Sequence, residues 1–362
     1  MCDGIKKYDY LIVGAGLFGA ICAYRLKNKY KVLLIDQRPH IGGNIYTSKH
    51  NNIIVHKYGA HIFHTSNKRV WDFINKFSSF EQFQNSPLAN YNGKIYNLPF
   101  NLHTFNQVYG ITTIDELNTH MSMWASKFTN PTNLEEYAIK NVGEKAYKIL
   151  VKGYTEKQWG KKCKDLPIET IKRIPIRKEW NNNYFDDIYQ GIPLEGYTPI
   201  VEQLISGVDL ILCEKFNPST HLQLAKKIIY CGSVDELMNY EFGPLPYRSL
   251  VFDEVEGESI YTPVMNFTSN KVPYTRIIDH KLFLKSTKNI NPSILTYEYP
   301  SNFYEGCERH YPIRTTENIN LYNKYVNSIK KAYPSIILGG RLGLYQYLNM
   351  DQVIELALNV EL

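Results

Sequence analysis

The segment "YDYLIVGAGLFGAICAYRLKNKYKVLLID", residues 8–36, decides the fold, because an apolar strand, a glycine turn, a helix and a second strand follow one another in it. Gly14, Gly16 and Gly19 match G-x-G-x-x-G, in which the backbone and the start of the helix bind a pyrophosphate. Asp36 follows Gly14 by 22 residues, where a carboxylate accepts hydrogen bonds from ribose hydroxyls. The segment therefore predicts a dinucleotide-binding βαβ unit. The alternative is a tight turn needed only for helix–sheet packing.

A second glycine-rich turn follows directly in "DQRPHIGGN", residues 36–44. The doublet Gly42-Gly43 allows another close approach of backbone to a ligand, and Arg38 lies just before it. This pattern is typical of FAD proteins, which hold a long, extended cofactor, and a simple NAD dehydrogenase does not need it. A structural turn is the alternative interpretation.

The C-terminal stretch "LGGRLGLYQYLNMDQVIEL", residues 338–356, has a glycine turn followed by a helix pattern, which would allow it to contact the other end of that cofactor. Gly339 and Gly340 follow a strand pattern, and Asp351 precedes a helix pattern. The electropositive start of such a helix would stabilise a reduced, anionic flavin. A helix cap and a flexible turn would explain the glycines and Asp351, but not Arg341.

Composition excludes several classes of protein. The 362 residues are 44% hydrophobic, which fits a globular chain of one large core or about two domains. The net charge of +6 is spread without a block of like charges, so we expect an acidic small molecule and no nucleic acid as partner. Six cysteines without close pairs indicate neither a disulfide framework nor a cysteine zinc site, and a reducing cytoplasm fits. The apolar N-terminal run contains three glycines and an aspartate, so we expect no membrane insertion.

The order of patterns predicts an α/β protein with a discontinuous, Rossmann-like FAD-binding domain, a helical insertion domain and an antiparallel β-sheet domain that binds substrate. The predicted boundaries are 1–75, 190–240 and 312–362 for the FAD-binding domain, 100–152 for the helical domain, and 76–99, 153–189 and 241–311 for the sheet domain.

Ordered motifs along nearly the whole chain carry a resemblance to one family. They include "YLIVGAGLFGA", "HIGGN", "YGAHIFHT", "KGYTEKQWG", "RIPIR", "FGPLPYRSL", "VPYTRIIDHK" and "GGRLGLYQYLNMDQ". The chain resembles the UDP-galactopyranose mutases, which are flavoenzymes of nucleotide-sugar metabolism. The resemblance implies an isomerase that uses reduced FAD to interconvert UDP-galactopyranose and UDP-galactofuranose, by ring contraction through a flavin N5–sugar adduct. It also implies a UDP-sugar as partner. The oligomeric state stays open, with a homodimer as one option, and the cytoplasmic location rests on the cysteine usage.

His61 and His64, in "YGAHIFHT", raise three alternatives: a metal site, catalytic groups or core filling. A metal is disfavoured, because the segment offers two ligands and no adjacent carboxylate. The resemblance implies that both histidines are catalytic and lie beside the flavin ring, with His61 also a cofactor contact. The family usually has proline where Ala60 stands.

The resemblance also assigns the remaining site residues. Arg173 and Arg276 are expected to bind the diphosphate and to act in catalysis, since a guanidinium can hold phosphate oxygens in pairs. Arg248 is a further substrate-binding candidate. Arg177 lies so close to Arg173 in the sequence that either could be assigned to the diphosphate-binding position. The other expected substrate contacts are Tyr154, Trp159, Tyr184, Tyr311, Tyr347 and Asn349. The expected cofactor contacts are Gly14, Gly16, Leu17, Phe18, Gly19, Asp36, Gln37, Arg38, Gly43, Asn44, His61, Ile62, Gly340, Arg341, Tyr347, Asn349 and Met350, and no metal is expected.

Asn349 departs from the family pattern, which commonly has aspartate at this position. Because a neutral amide replaces a charge, we expect an altered rate or pH dependence, not loss of function. Three alternative functions stay open. They are a mutase acting on UDP-N-acetylgalactosamine, an amine-oxidase-like flavin oxidoreductase, and a non-catalytic nucleotide-sugar binding protein.

Overall fold

A computed structural model describes residues 7–172, 174–304 and 306–362. Its central feature is a five-stranded, wholly parallel sheet built from segments far apart in the chain. In spatial order its strands are Asp209–Ile211, Val32–Ile35, Tyr8–Val13, Ala225–Tyr230 and Ile336–Leu338. The α/β class and the discontinuous Rossmann-like domain predicted from sequence are therefore confirmed.

Helices cover both faces of this sheet, so its central strands are almost continuously apolar and buried. The helix Leu17–Leu26 is buried along most of its length and packs against Thr198–Ile205 and Met350–Asn359. Burial of this helix explains why its sequence is apolar on nearly all sides, with no polar stripe. The other helices of this part are Lys68–Ile74, Pro218–His221, Val234–Leu237, Thr316–Ala332 and Gly340–Gly343.

In the sequence, a helical region with its own hydrophobic core lies between the strands Lys94–Asn97 and Tyr189–Pro193. Its helices are Leu102–Tyr109, Ile114–Ala125, Leu134–Ala146, the π-helix Tyr147–Lys152, Gly153–Trp159 and Glu169–Lys172. Gly153, directly after the predicted boundary at residue 152, keeps helical backbone angles (φ −66°, ψ −37°), so the chain passes from one helix into the next without a break. The domain boundaries stay predictions.

The second large sheet has seven strands, antiparallel except for one parallel pair. In spatial order they are Tyr311–Pro312, Tyr247–Gly257, Ser293–Asn302, Arg276–Asp279, Val264–Phe267, Leu88–Tyr91 and Lys94–Asn97. Two small sheets join the domains, one of Phe63–Thr65, Tyr189–Pro193 and Phe80–Gln82, the other of Thr47–His50 and Ile53–His56. Short 3-10 turns occur at Gly43–Ile45, Cys163–Asp165, His280–Phe283 and Lys285–Thr287.

Within the described ranges, no helix has the length and apolar character required to cross a bilayer. The five cysteines of these ranges, at 22, 163, 213, 231 and 307, are free. The same part of the chain contains no group of three or more histidine, cysteine, aspartate or glutamate side chains that could hold a metal ion.

Candidate active site

One continuous cavity of about 1490 Å³ runs from the glycine turns of the parallel sheet to the helical region and the seven-stranded sheet. Cavities for one small ligand usually measure about 300–1,000 Å³, so this one has room for a dinucleotide and a second ligand. It is lined by every expected site residue that the structure describes except Arg248: Gly14, Gly16, Leu17, Phe18, Gly19, Asp36, Gln37, Arg38, Gly43, Asn44, His61, Ile62, His64, Tyr154, Trp159, Tyr184, Arg276, Tyr311, Gly340, Arg341, Tyr347, Asn349 and Met350.

The two glycine turns form one end of the cavity and touch each other. Gly16 precedes the helix Leu17–Leu26 and caps it with no side chain, so the first N–H groups remain for a ligand. A Cβ on Gly19 would lie 2.0 Å from the carbonyl oxygen of Gly14, and one on Gly43 would lie 3.0 Å from the Cα of Gly16. Both positions therefore require glycine for packing, and together they leave a cradle of bare backbone.

Asp36 links these turns, because its carboxylate accepts hydrogen bonds from the N–H groups of Ala15 (2.7 Å) and Arg38 (2.8 Å). The Arg38 guanidinium forms a two-point ion pair with Glu308, with Nε to Oε1 at 3.0 Å, and lies 4.5 Å above the ring of Tyr58. Although burial opposes it, this carboxylate raises the pKa of Arg38. Sequence reasoning missed Glu308, which is 270 residues away from Arg38.

His61 lines the middle of the cavity as a neutral imidazole. Burial lowers its pKa to about 4, and its Nδ1 is 2.8 Å from the carbonyl oxygen of Gly59. Because a carbonyl can only accept, Nδ1 carries the proton and Nε2 is left as an acceptor. His61 is therefore suited to receive a hydrogen bond from a ligand hydroxyl or N–H group.

A chain of buried histidines holds the backbone beneath His61. The His61 N–H donates to Nδ1 of His56 (3.0 Å), and the His56 N–H donates to Nδ1 of His280 (3.3 Å). Nε2 of His280 is 2.8 Å from Oγ1 of Thr296. Burial lowers the pKa of His280 to about 3 and that of His56 well below its ordinary value, so both are neutral acceptors here. Sequence reasoning missed both residues.

Arg276 also lines the cavity, among groups that hold its guanidinium in place. Its Nη2 donates to the Tyr154 hydroxyl (2.9 Å), Nη1 to Oε2 of Glu298 (3.2 Å) and Nε to Oδ1 of Asn266 (3.2 Å). Burial alone would lower the pKa of Arg276, but Glu298 reverses this and raises it. Glu298 is a buried carboxylate (1% exposed) on the strand Ser293–Asn302, whose mixed polar and apolar sequence gave no signal of it.

Aromatic side chains border Arg276. The rings of Tyr311 and Tyr347 stack with centroids 5.4 Å apart, and the Trp159 ring is 6.3 Å from that of Tyr311. Tyr347 also lies 4.6 Å below the guanidinium of Arg341. Burial raises the pKa of Tyr311, so its hydroxyl keeps its proton and can donate to an anionic oxygen. The cluster thus combines a fixed cation with neutral donors.

Three arginines named from the sequence have different outcomes. Arg173 lies outside the described residues. Arg177 is buried and is not itself among the lining residues, but it donates to Asp186 and to the carbonyl of Tyr184, which both line the cavity. Arg248 is also buried and is not among the residues that line the cavity, so its role as a substrate contact stays a prediction.

The contacts of Arg248 show what holds its guanidinium in place. Its Nε donates to the carbonyl of Gln158 (2.8 Å) and Nη2 to that of Lys157 (3.2 Å), while Nη1 contacts Asn302. These carbonyls belong to the end of the helix Gly153–Trp159, where cations are favourable. Arg248 therefore fixes the helix that carries Tyr154 and Trp159.

Comparison with known proteins places the chain in a family. Residues 149–347 match the family model described as UDP-galactopyranose mutase, and residues 12–77 match the model of an NAD(P)-binding Rossmann-like domain. The chain belongs to the UDP-galactopyranose mutase family. The resemblance seen in the sequence motifs is thereby confirmed, and the protein is an isomerase by family.

Relatives cover nearly the whole chain. A dTDP-fucopyranose mutase of Escherichia coli is 37% identical over 96% of this chain and 96% of its own length. A probable UDP-galactopyranose mutase of Klebsiella pneumoniae is also 37% identical, over 98% of this chain and 94% of its own. A UDP-galactopyranose mutase of Mycoplasma genitalium is 32% identical over 99% and 95%.

Solved structures show the same fold. The crystal structure of a reduced UDP-galactopyranose mutase matches with a TM-score of 0.71 and 16% identity, covering 97% of this chain and 94% of its own. A putrescine oxidase with redesigned cofactor binding matches with a TM-score of 0.57 and 10% identity, covering 97% of both chains. At these identities the likeness concerns the fold alone.

Proposed function

We propose that the protein is a reduced-FAD-dependent mutase that interconverts UDP-galactopyranose and UDP-galactofuranose. The observation that carries the proposal is the single cavity that joins a bare glycine cradle to the cluster around Arg276, in a chain of this family. One end fits a dinucleotide and the other fits a nucleotide diphosphate-sugar. The two ligands would meet beside His61 and His64.

The residues present fit FAD. The glycine turns and the helix start at Leu17 would hold its pyrophosphate, and the cavity continues past His61 to Gly340, Arg341 and Asn349. When bound and reduced, the flavin would supply a nucleophilic nitrogen to the anomeric carbon of the sugar. Asn349 begins the helix Met350–Asn359, whose positive end would favour an anionic flavin ring.

The chain's own residues then bind and orient the sugar nucleotide. Arg276 and the Tyr311 hydroxyl would hold the diphosphate, with Arg173 as a second cation, so that the phosphate stays in place while its bond to the sugar breaks. Gln158 lines the same end with its Oε1 buried and without a hydrogen-bond partner among the described residues. Its amide would suit the imide edge of uracil or thymine, which offers both an N–H and carbonyl oxygens.

The second candidate substrate is a dTDP-sugar. It is favoured by the Escherichia coli relative, whose name specifies dTDP-fucopyranose at the same 37% identity as the Klebsiella relative. UDP-N-acetylgalactosamine stays a third candidate from the sequence. One or two pocket contacts decide among such sugars, and a contact to a single methylene changes discrimination by about 1–3 kcal/mol. A cytoplasmic location and a homodimer complete the proposal.

The test is incubation of the FAD-loaded protein, with and without dithionite, with UDP-galactofuranose, its N-acetyl analogue and dTDP-fucofuranose, followed by chromatography of the products. We expect conversion of UDP-galactofuranose to the pyranose by the reduced protein only. Equal turnover by oxidised protein, or a colourless protein that does not take up FAD, would overturn the proposal. Oxygen consumption with an amine and no sugar conversion would support the oxidoreductase instead.

A further inference from the structure

We propose that Asp187 is the positioning residue for His64. Its carboxylate fixes the proton of His64 on Nδ1, so that Nε2 is an unprotonated acceptor for the ligand in the cavity. The inference rests on the proposed function for its catalytic consequence, but the arrangement itself concerns only this chain's residues. Asp187 was not among the residues that the sequence singled out.

The two side chains form a close pair inside the cavity wall. Nδ1 of His64 is 2.6 Å from Oδ2 of Asp187, and both residues line the cavity. The other carboxylate oxygen, Oδ1, accepts a hydrogen bond from the Ser66 hydroxyl at 2.7 Å. The His64 side chain is 13% exposed and that of Asp187 is 27% exposed, so water screens the pair only in part.

Packing fixes the orientation of the imidazole ring as well. The ring of Phe185 stacks on His64 with centroids 3.7 Å apart and an angle of 12° between the planes. The loop that carries Phe185 and Asp187 is held by Gln190, whose side-chain amide donates to the carbonyls of both residues (3.2 and 2.8 Å). Gln190 in turn pairs with His64 across two antiparallel strands. The partner of His64 is therefore placed by the same strand pair that carries His64.

The hydrogen bond determines the tautomer. An ionised carboxylate only accepts, so Nδ1 must donate and carry the proton, and a neutral ring then has its lone pair on Nε2. No described residue bonds Nε2 of His64. If Nε2 accepts a proton from a ligand hydroxyl, the resulting imidazolium is paired with Asp187. The two histidines of the motif therefore differ in the partner of Nδ1, which is a carboxylate for His64 and a neutral carbonyl for His61.

A second carboxylate lies near the pair but plays a different part. Asp351, on the helix packed against the strand of His64, has an Oδ1 that is buried and has no partner among the described residues. Burial raises the pKa of Asp351 and the charge of Asp187 adds to this effect, whereas the backbone N–H of Gln352 and the charge of His64 oppose it. Of the two carboxylates, Asp187 is the one whose oxygen contacts the imidazole.

The first measurement is the ¹⁵N chemical shift of the His64 ring in ¹⁵N-histidine-labelled, FAD-loaded protein, with the signals assigned by His64→Gln. We expect Nδ1 to be protonated and Nε2 unprotonated in the wild type. Asp187→Ala should shift the proton toward Nε2, and Asp72→Asn, at an exposed ion pair with Lys68 on the next helix, should leave the signals unchanged. A wild-type ring with its proton on Nε2, or unchanged signals in Asp187→Ala, would overturn the inference.

The second measurement is a double-mutant cycle on the conversion of UDP-galactofuranose by reduced protein. We expect Asp187→Ala to lower kcat by about 10- to 100-fold, the range found when a carboxylate that orients a metal-ligating histidine is lost, with little change in KM. In the His64→Gln background the same change should cost less than about twofold, because the two residues act as a unit. An equal cost in both backgrounds would refute the positioning role. If even wild type converts no sugar, the proposed function fails, and the ¹⁵N shifts still decide the inference.

Discussion

Lowering the pH from about 7 to about 5 should reduce the free energy of unfolding of the protein. The substitution His280→Asn should remove part of this loss. His280 is 1% exposed, and burial lowers its pKa to about 3 from an ordinary value of 6.5. Between these two values the unfolded chain binds a proton that the folded chain does not. Stability therefore rises with pH through this window and is lost as the pH falls below about 6.5.

The size of the effect follows from these two pKa values. For one such histidine the free energy of unfolding falls by about 2 kcal/mol between about pH 7 and about pH 5. Because natural domains are stable by only about 5–15 kcal/mol, this loss is easily measured. Asparagine is the informative replacement, since its side-chain oxygen can take the place of Nδ1 and accept from the His56 N–H, but it does not titrate.

The assay is urea unfolding of FAD-loaded wild type and variants at both pH values, followed by tryptophan fluorescence. The loss between the two pH values should be smaller in His280→Asn by about 2 kcal/mol. Thr296→Val is the matched control, because it removes the hydroxyl partner of His280 and keeps the buried imidazole, so the wild-type pH dependence should persist. Equal pH dependence in wild type and His280→Asn would refute the reasoning.

Three further predictions follow from the site. Arg276→Ala should raise the UDP dissociation constant by about 10- to 100-fold, because a charge-assisted hydrogen bond is worth about 1.5–3 kcal/mol, and unchanged affinity by calorimetry would remove Arg276 from the site. Asn349→Asp should raise the pKa of the reduced flavin through like-charge repulsion. It should not reduce stability, since aspartate also suits a helix start. Superimposable spectral titrations of wild type and variant under argon would contradict this. Gly19→Ala should abolish FAD uptake, because the new Cβ would lie 2.0 Å from the carbonyl oxygen of Gly14, whereas Gly257→Ala, which meets only a leucine side chain, should bind FAD normally in the same absorbance assay.

Local patterns predicted the βαβ unit of the parallel sheet, which the structure confirms. The glycines, the carboxylate at Asp36 and the apolar strand lie within residues 8–36, so their spacing already states the turn and the βαβ unit. The alternation of helix and strand patterns likewise gave the α/β class. The family followed from ordered motifs along the chain. These features depend on neighbours in sequence, which the sequence displays directly.

The partners of charged side chains were decided only by the tertiary structure. Arg248 finds its acceptors at the end of a helix 90 residues earlier in the chain, which no local pattern indicated. Asp187 is 123 residues from His64, and the two meet only because antiparallel strands bring their loops together. Pairing between distant residues depends on strand register and helix placement, which leave no local pattern. The sequence therefore determined the glycine turn, the α/β class and the family. The tertiary structure determined which side chains face the cavity and which ones fix the residues that line it.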